Sequence, residues 1–485
     1  MNEPFNPQEE VEKLCEEHKI FFTGKGNVTH ENLISVGLGN LLYNQLSQFV
    51  DKKENNGFYI LEIKNPETKQ KYNIEIKYEG GEEPNVPEKN ENKKKEKKFL
   101  IWVEKFNSYV VDIESVADYF CKKYKFVTVS NSGKEKLYMF NGKVYEENAR
   151  AFIKEEFEKL LGKYAKISPL NEVIAKIERK NYLNLEDFEK TDINLIPFGN
   201  GIFSIQEKKL EPHSSDNYFK TIIPVNYIPS EKCPIFLKFL EEALYPEDIP
   251  VIQEWFGFNL YRKYLIKKAL ICLGGKNTGK TILLNSLISL IGEKNKTGLS
   301  LQKLSYGSDF IKLSLKDKYA NVYDDLSSKD LNDGGNFKIA TGGGFISAEE
   351  KFGGYYQFKS FAKQTFATNK IPPVKDNDDM AYFSRWIVIR FDNVPEKKDL
   401  FLGDKINKEL SGILNWALEG LFRLLDLGKF SYNKTDEEIK DIMEMSGDPL
   451  IQFGAEVLEQ SESRVSKEQM YEIYSIWAKE RAKPL

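Results

Sequence analysis

The chain has 485 residues, 41 % of them hydrophobic and 13 % aromatic, with a formal net charge of −4; this suits roughly two to four folded domains and excludes a disordered chain. The acidic start MNEPFNPQEE lacks the basic flank and apolar core of a secretory signal, and no apolar run reaches the length of a bilayer span, so a soluble, cytoplasmic protein with no membrane partner is expected. Cys15, Cys121, Cys233 and Cys272 are far apart, and with only His18, His30 and His213 beside them they offer neither a zinc set nor a disulfide framework.

Residues 1–79 read as a small α+β unit to which no chemistry can be assigned, with helical periodicity near Glu9–His18 and Leu33–Phe49. Two alternating runs, Phe58–Lys64 and Tyr72–Tyr78, flank the turn-forming Asn65-Pro66 as the strands of an antiparallel hairpin would. Residues 80–98, GGEEPNVPEKNENKKKEKK, combine Gly, Pro and a charge run and read as a solvated linker. A second α+β domain follows over 99–250. Its short strands bracket turns at Asn131-Ser132-Gly133 and Asn141-Gly142, a helix ends at Gly162, and Asn194–Ile205 turns at Asn200-Gly201. His213–Tyr227 adds a strand-like run, and His213 receives no role because no acidic or cysteine partner stands at a suggestive spacing.

The stretch Lys268–Glu293, KALICLGGKNTGKTILLNSLISLIGE, sets a buried strand, a glycine-rich loop and an apolar-faced helix in succession. Gly274 and Gly279-Lys280-Thr281 fit G-x-x-x-x-G-K-[ST]. In that pattern backbone N–H groups of Gly274, Gly275, Lys276, Asn277, Thr278 and Gly279 cradle the phosphates of ATP, the lysine reaches the terminal ones and the threonine hydroxyl holds Mg²⁺. Ala269–Leu273 suits a central parallel strand, and Ile282, Leu283, Leu287, Ile288 and Ile291 recur at helical spacing, so the helix N-terminus points at the phosphates. From Arg262 to Lys370 there are 18 Lys and Arg against 9 Asp and Glu, a local net charge of +9 in an acidic chain. Contact with nucleic acid and a solvated lysine-rich face are the two readings of that contrast.

Such a site needs an acidic element on a neighbouring strand. Lys318–Asp325 supplies it: a short apolar run ends in Asp324, assigned to Mg²⁺, and Asp325, assigned to polarising water, two roles that can be exchanged. Phe361–Asn369 is another buried-strand pattern whose terminal amide, Asn369, can orient the attacking water, or else cap a turn before Pro372-Pro373. Arg385 stands just before the apolar run Trp386–Phe391 and in a ring can reach a neighbour's terminal phosphate as an arginine finger.

This order of motifs resembles a superfamily 3 helicase, in the viral, phage and plasmid primase-helicase group typified by poxvirus primase-helicases. The match runs through Gly274–Thr281, Asp324-Asp325, Phe337–Gly343 into Ala348–Lys351, Thr368-Asn369 and Arg385. The resemblance implies a β-hairpin before Asn369 that projects into a central pore and grips single-stranded DNA. Lys338, Lys351 and Lys359 then become DNA-contacting or subunit-coupling residues, with Phe352, Tyr355 and Tyr356 available for stacking. Upstream, Ser115–Tyr264 resembles the domain that precedes the helicase in phage and plasmid primases. Downstream, Asp448–Leu485 resembles the linker and first helix of a winged-helix domain, and the chain stops before that domain is complete. No carboxylate set with a suitable histidine for primer synthesis stands in front of the loop, Asp112-x-Glu114 being the nearest pair, and Ser384 occupies the place where relatives commonly have a second arginine.

The expected architecture is α/β: an AAA+-type P-loop ATPase core over 251–395, preceded by the two α+β domains and followed by a helical region, 396–485, that begins a winged helix. The expected function is an ATP-dependent replicative DNA helicase working as a homo-oligomeric ring, a hexamer by resemblance, on single-stranded DNA beside a separate primase or polymerase. The other reading is an AAA+ ATPase that loads onto DNA or remodels protein without unwinding.

Overall fold

The computed structural model describes residues 50–55, 58–64, 71–77, 98–131, 134–326, 335–349, 355–372, 379–395, 398–447, 449–459 and 465–480. The chain divides into two units, Met1–Lys94 and Lys95–Leu485. In the first, β1 (Val50–Asn55), β2 (Phe58–Lys64) and β3 (Lys71–Lys77) form an antiparallel sheet in chain order. The β2–β3 hairpin is the one expected from alternation. β1 is an addition: its sequence, VDKKEN, has no apolar alternation, but the Asn55↔Phe58 pairing encloses Asn56-Gly57, a dipeptide that favours two-residue hairpins. The helices expected near Glu9–His18 and Leu33–Phe49, and the linker up to residue 97, lie outside the described residues.

The second unit opens with a hairpin of β4 (Leu100–Val103) and β5 (Ser108–Val111). Helix α1 (Ile113–Lys123) follows, its first turn capped by the Asp112 carboxylate, which accepts from Ser115 N at 3.1 Å. Glu114 pairs with Lys176 and Lys180 of a later helix, α3 (Ile167–Lys180), so the carboxylates at 112 and 114 serve a cap and an inter-helix ion pair. Strands β6 (Phe126–Asn131), β7 (Lys134–Phe140) and β8 (Tyr145–Glu146) make an antiparallel sheet backed by α2 (Ala149–Leu161) and α3 (Ile167–Lys180). Phe120, Ile153, Phe157, Val173 and Ile177 form their shared core. As expected, α2 ends at Gly162. After the short α4 (Leu185–Glu189), β9 (Leu195–Phe198), β10 (Gly201–Ser204) and β11 (Lys209–Glu211) make a second antiparallel sheet. Its first turn holds Gly199-Asn200, since Phe198 pairs with Gly201, one residue earlier than the expected turn. His213–Tyr227 is not a strand: it contains a single 3₁₀ turn at Ser215–Asn217 and one isolated bridge, Phe198↔Ile223, because no neighbouring strand extends the ladder.

Helices α5 (Pro234–Ala243) and α6 (Ile249–Leu260) lead into a five-stranded parallel sheet in the order β13-β14-β17-β12-β18. These strands are β12 (Ala269–Gly274), β13 (Lys296–Thr297), β14 (Ala320–Tyr323), β17 (Lys363–Thr368) and β18 (Trp386–Phe391). Between them come α7 (Lys280–Ile291), α8 (Leu301–Tyr306), α9 (Asp309–Lys312), α10 (Gly335–Thr341), the antiparallel pair β15 (Phe345–Glu349) and β16 (Tyr355–Lys359), and α11 (Met380–Phe383). Both faces are covered, which is why the strands read as unbroken apolar runs. Leu270, Cys272, Ile387 and Ile389 join the core on one face with α6, α7 and the later helix α13 (Leu410–Leu427), while Ala269, Ile271, Trp386 and Val388 join the core on the other with α10. On that second face Phe337 stacks on Trp386 with centroids 4.6 Å apart.

The C-terminal region is helical where described, through α12 (Leu402–Asn407), α13 (Leu410–Leu427), α14 (Asp436–Gly447), α15 (Pro449–Val457) and α16 (Lys467–Glu480). Helix α13 lies so close to α6 that side chains at the crossing are excluded: a Cβ on Gly257 would stand 2.3 Å from Ala417 O, and one on Gly420 2.3 Å from Gln253 O. Beside this crossing the fully buried Glu254 accepts from Arg423 Nε at 2.6 Å and from Ser431 N at 2.7 Å. The expected boundary at 250/251 falls within α6, whose residues share one core with α13 and the sheet.

Two predictions follow from this packing. Gly420→Val forces α13 away from α6 and is expected to cost about 3 kcal/mol of stability, read as a lowered denaturant midpoint. The second concerns Lys363, fully buried at the start of β17, where its Nζ donates to Tyr261 O and lies 4.6 Å from the Phe258 ring centroid. Burial holds its pKa well below 10.5. The unfolded chain therefore binds this proton and the folded chain resists it, so the stability lost to Lys363 is recovered as pH rises toward 10.5. Lys363→Met is expected to be more stable than wild type at pH 7 by about 1–4 kcal/mol, with the gap closing by pH 10 in melting experiments. A gap unchanged across that range rules out the charge as its cause.

Candidate functional site

The glycine-rich loop Gly274–Gly279 leaves β12 beside the end of β18. Gly274 pairs in register with Phe391, and a Cβ on Gly274 would stand 2.2 Å from Phe391 O, so only glycine lets the two backbones meet. Three residues on, Asn277 adopts the left-handed region at φ 63°, which asparagine tolerates. Gly279, at φ 97°, forms the N-cap of α7 and leaves room for the Phe239 ring, 2.9 Å from where its Cβ would be. The loop thus delivers the unpaired N–H groups of the α7 N-terminus to the carboxyl edge of the sheet.

Side chains converge there from three strands. Lys280 is 8 % exposed; its Nζ donates to Gly274 O at 2.7 Å, to Gly275 O, and to Asn369 Oδ1 at 3.2 Å across the gap to the end of β17. Burial lowers its pKa, opposed chiefly by the charge of Asp324 and less by that of Asp325. Thr281 Oγ1 donates to Asp324 Oδ2 at 2.8 Å, directly after β14. Asp325 follows in the left-handed region, φ 63°, and Leu326 N then returns to Ala367 O of β17 at 3.0 Å, tying the acidic turn to the strand that carries Asn369. Thr278 Oγ1 closes the loop by donating to Gly275 O at 3.0 Å. Cys272, one strand position below, is fully buried and its thiol is pushed up to about 12 by burial, so it takes no part as a nucleophile. Among the described residues no three His, Cys, Asp or Glu side chains gather as a metal-binding group.

Arg385 is not in this cluster. Ala269 pairs with Trp386 and Gly274 with Phe391, so Arg385 stands at the opposite edge of the sheet, roughly 17 Å from the loop by strand rise alone. Its Nη1 donates to Thr341 Oγ1 at 3.2 Å, its carbonyl accepts from Ala269 N at 2.6 Å, and its Nε has no partner. Partial burial lowers its pKa, against the influence of Tyr264 and Asp379. Lys338 on α10 pairs with Asp379 at 2.6 Å. Lys359, exposed on β16, lies 4.8 Å from the centroid of the Phe345 ring. Lys351 and Phe352 lie outside the described residues, and Tyr355 and Tyr356 are described by backbone pairing alone, to Glu349 and Ala348.

One arrangement escaped sequence reasoning. Arg390, paired in register with Leu273, stands at the loop end of β18, where its Nε lies 3.0 Å from Asp392 Oδ2; Tyr245 Oη donates to the same carboxylate at 3.0 Å. Counting five residues along the strand from Arg385 is the signal that finds it, because strand length decides which arginine flanks the loop.

Residues 90–244 match the family described as D5 N terminal like, and residues 272–385 match a family of unknown function, DUF5906, a span that runs from within β12 to Arg385. The first match supports a relation to the primase-helicases of phage and viral replication. No curated protein matches the chain. Solved structures similar to it include an A-form apo structure of the NrS-1 C-terminal region, at 15 % identity and TM-score 0.45, covering 74 % of this chain and 85 % of that one. A second apo structure of the same region has 14 % identity and TM-score 0.46, with 75 % and 85 % covered.

Proposed function

We infer that the chain is an ATP-driven DNA helicase of the ring-forming type, acting in replication of a virus, phage or plasmid. The observation that carries this reading is the convergence of Lys280, Thr281, Asp324 and Asn369, from the ends of three parallel strands, around the open N-terminus of α7. β12 lies between β17 and β18 while the chain after α7 continues on the β13 side, and open α/β sheets bind ligands at such a change of direction.

Each residue has a task in this reading. The loop N–H groups and the helix N-terminus bind the β-phosphate region. Lys280 exchanges its bonds to the Gly274 and Gly275 carbonyls for bonds to the terminal phosphates. Thr281 Oγ1 and Asp324 Oδ2, 2.8 Å apart, are hard oxygen donors of the kind Mg²⁺ takes one or two at a time, and bound there the ion would neutralise phosphate charge. Asp325 and Asn369 hold and orient the attacking water. Arg385 is too far from its own loop to act there and serves the neighbour's site across a subunit interface. Lys338, Lys351 and Lys359 carry single-stranded DNA, and the +9 charge over Arg262–Lys370 supports a polyanion partner.

Lys280→Ala is expected to lower ATP turnover at least ~100-fold, and Arg385→Ala roughly a thousandfold. Mixing the two variants restores turnover, because each supplies the half-site the other lacks. Full DNA-stimulated turnover by Arg385→Ala alone sinks the trans assignment. On a forked duplex the wild type separates strands with ATP; stimulated hydrolysis without separation identifies a loader instead.

A further inference from the structure

A second polar cleft, with a cavity of about 450 Å³, lies between residues 185–221, the Arg262 and Lys316-Asp317 turns, and the β15–β16 hairpin. None of the phosphate-loop residues lines it. Its charges are unbalanced: Lys220, Arg262, Lys316 and Lys359 face it against only Glu189 and Asp317. Lys220 is held 2.8 Å from Asp317, and Lys316 is 3.7 Å from Glu189. Those two pairs use up both acids.

Arg262 and Lys359 are the cations left over, and Arg262 is the more enclosed of the two. Its guanidinium lies 4.4 Å from the Phe219 ring centroid and donates through Nη2 to the backbone oxygen of Asp192 at 2.8 Å, while the buried Nε has no partner. No ion pair among the described residues includes it, and burial lowers its pKa. A half-buried cation with no carboxylate in contact is partly desolvated at a cost, and an anion drawn into the cleft relieves that cost.

The same walls offer aromatic faces. Phe345 is 59 % exposed, beside Lys359, and the half-buried Tyr218, its ring packed against Tyr145 and Phe188, also lines the cleft from a left-handed backbone position, φ 47°. Exposed rings set among cations are the means by which proteins take up unpaired bases with their phosphates, and the volume suits a ligand of that size.

We propose that this cleft binds one nucleoside phosphate unit, with its base on Phe345 and Tyr218 and its phosphate drawn toward Arg262 and Lys220. The occupant is a nucleotide within single-stranded DNA, so the assignment of source rests on the nucleic-acid reading above; a free nucleotide has the same chemistry. An occupant there touches residues 185–221 and the hairpin together. Because β16 runs through Ser360–Ala362 into β17, the hairpin is covalently continuous with the strand that ends at Asn369.

The test uses the full chain, with fluorescent oligothymidylate and free thymidine monophosphate as probes, in wild type, Phe345→Ala and Arg262→Met. Lys338, Lys351 and Lys359 stay intact. The expected result is that both variants weaken oligothymidylate binding at least about fivefold, and that photo-crosslinks from an iodouracil-substituted strand map to Tyr218 or Phe345. If the monophosphate alone binds, with the same dependence on both variants, the cleft is a free-nucleotide site and the translocation reading falls. If oligothymidylate binds all three proteins equally and crosslinks elsewhere, the cleft proposal is overturned and the helicase reading stands. Binding of neither probe overturns the cleft. Because Arg262 packs on the Phe219 ring, a melting curve checks that its variant folds, and the exposed Phe345→Ala decides alone if it does not.

Discussion

The contact of two backbones at Gly274 governs much of this molecule. With no side chain at that position, the end of β12 can lie against Phe391 of β18, and the strand can occupy an inner place in the sheet while its loop opens at the carboxyl edge. That inner place has two results. It puts β17, and with it Asn369, between the loop strand and the acidic strand, so that lysine and amide meet at 3.2 Å. It also requires apolar cover on both faces, which α6, α7 and α13 supply on one side and α10 on the other. Loop geometry, sheet order and the two-sided core are therefore aspects of one arrangement.

Much of the site was legible because its signals are local. The apolar run Ala269–Leu273 followed by Gly279-Lys280-Thr281 foretells strand, loop and helix, since each depends on neighbours within a few residues. Asp324-Asp325 and Asn369 were legible for the same reason, as polar residues ending buried runs. What could not be read was distance across the fold. Arg385 and Arg390 look alike in RWIVIRF, and only the register with β12 assigns one to the far edge and the other to the loop. The cleft draws its walls from stretches between residues 185 and 361, and no pattern in one segment announces it. His213–Tyr227 differs in the other direction: the run reads as strand-like, but a strand needs a partner, and only Ile223 has one. β1 was missed although Asn56-Gly57 stood in the sequence, because the charged run before it hides the pairing that the turn permits.

Charge follows the same division between local and remote. The described cations of the +9 segment are largely engaged: Lys338 with Asp379, Lys280 with its own loop, Lys363 inside the core. A count along the sequence therefore overstates the field a polyanion would meet. Arg262 and Lys359 remain among those without a carboxylate partner, and both face the cleft. Part of the positive charge thus faces a place where aromatic surface is also exposed.

The bonds of Lys280 to its own loop have a thermodynamic meaning. With Nζ donating to the Gly274 and Gly275 carbonyls and to Asn369, the ammonium acts as an internal occupant that keeps the loop in its receptive shape. Under the proposed function, arrival of a phosphate would be an exchange of one set of charge-assisted hydrogen bonds for another, and measured affinity would report only their difference. Such a loop gains less from binding than one that collapses when empty, but it also releases product against a smaller barrier, because the lysine can reclaim its carbonyls as the phosphate leaves. In the proposed ATPase, which would have to let go at every step, turnover would be served by that reversibility.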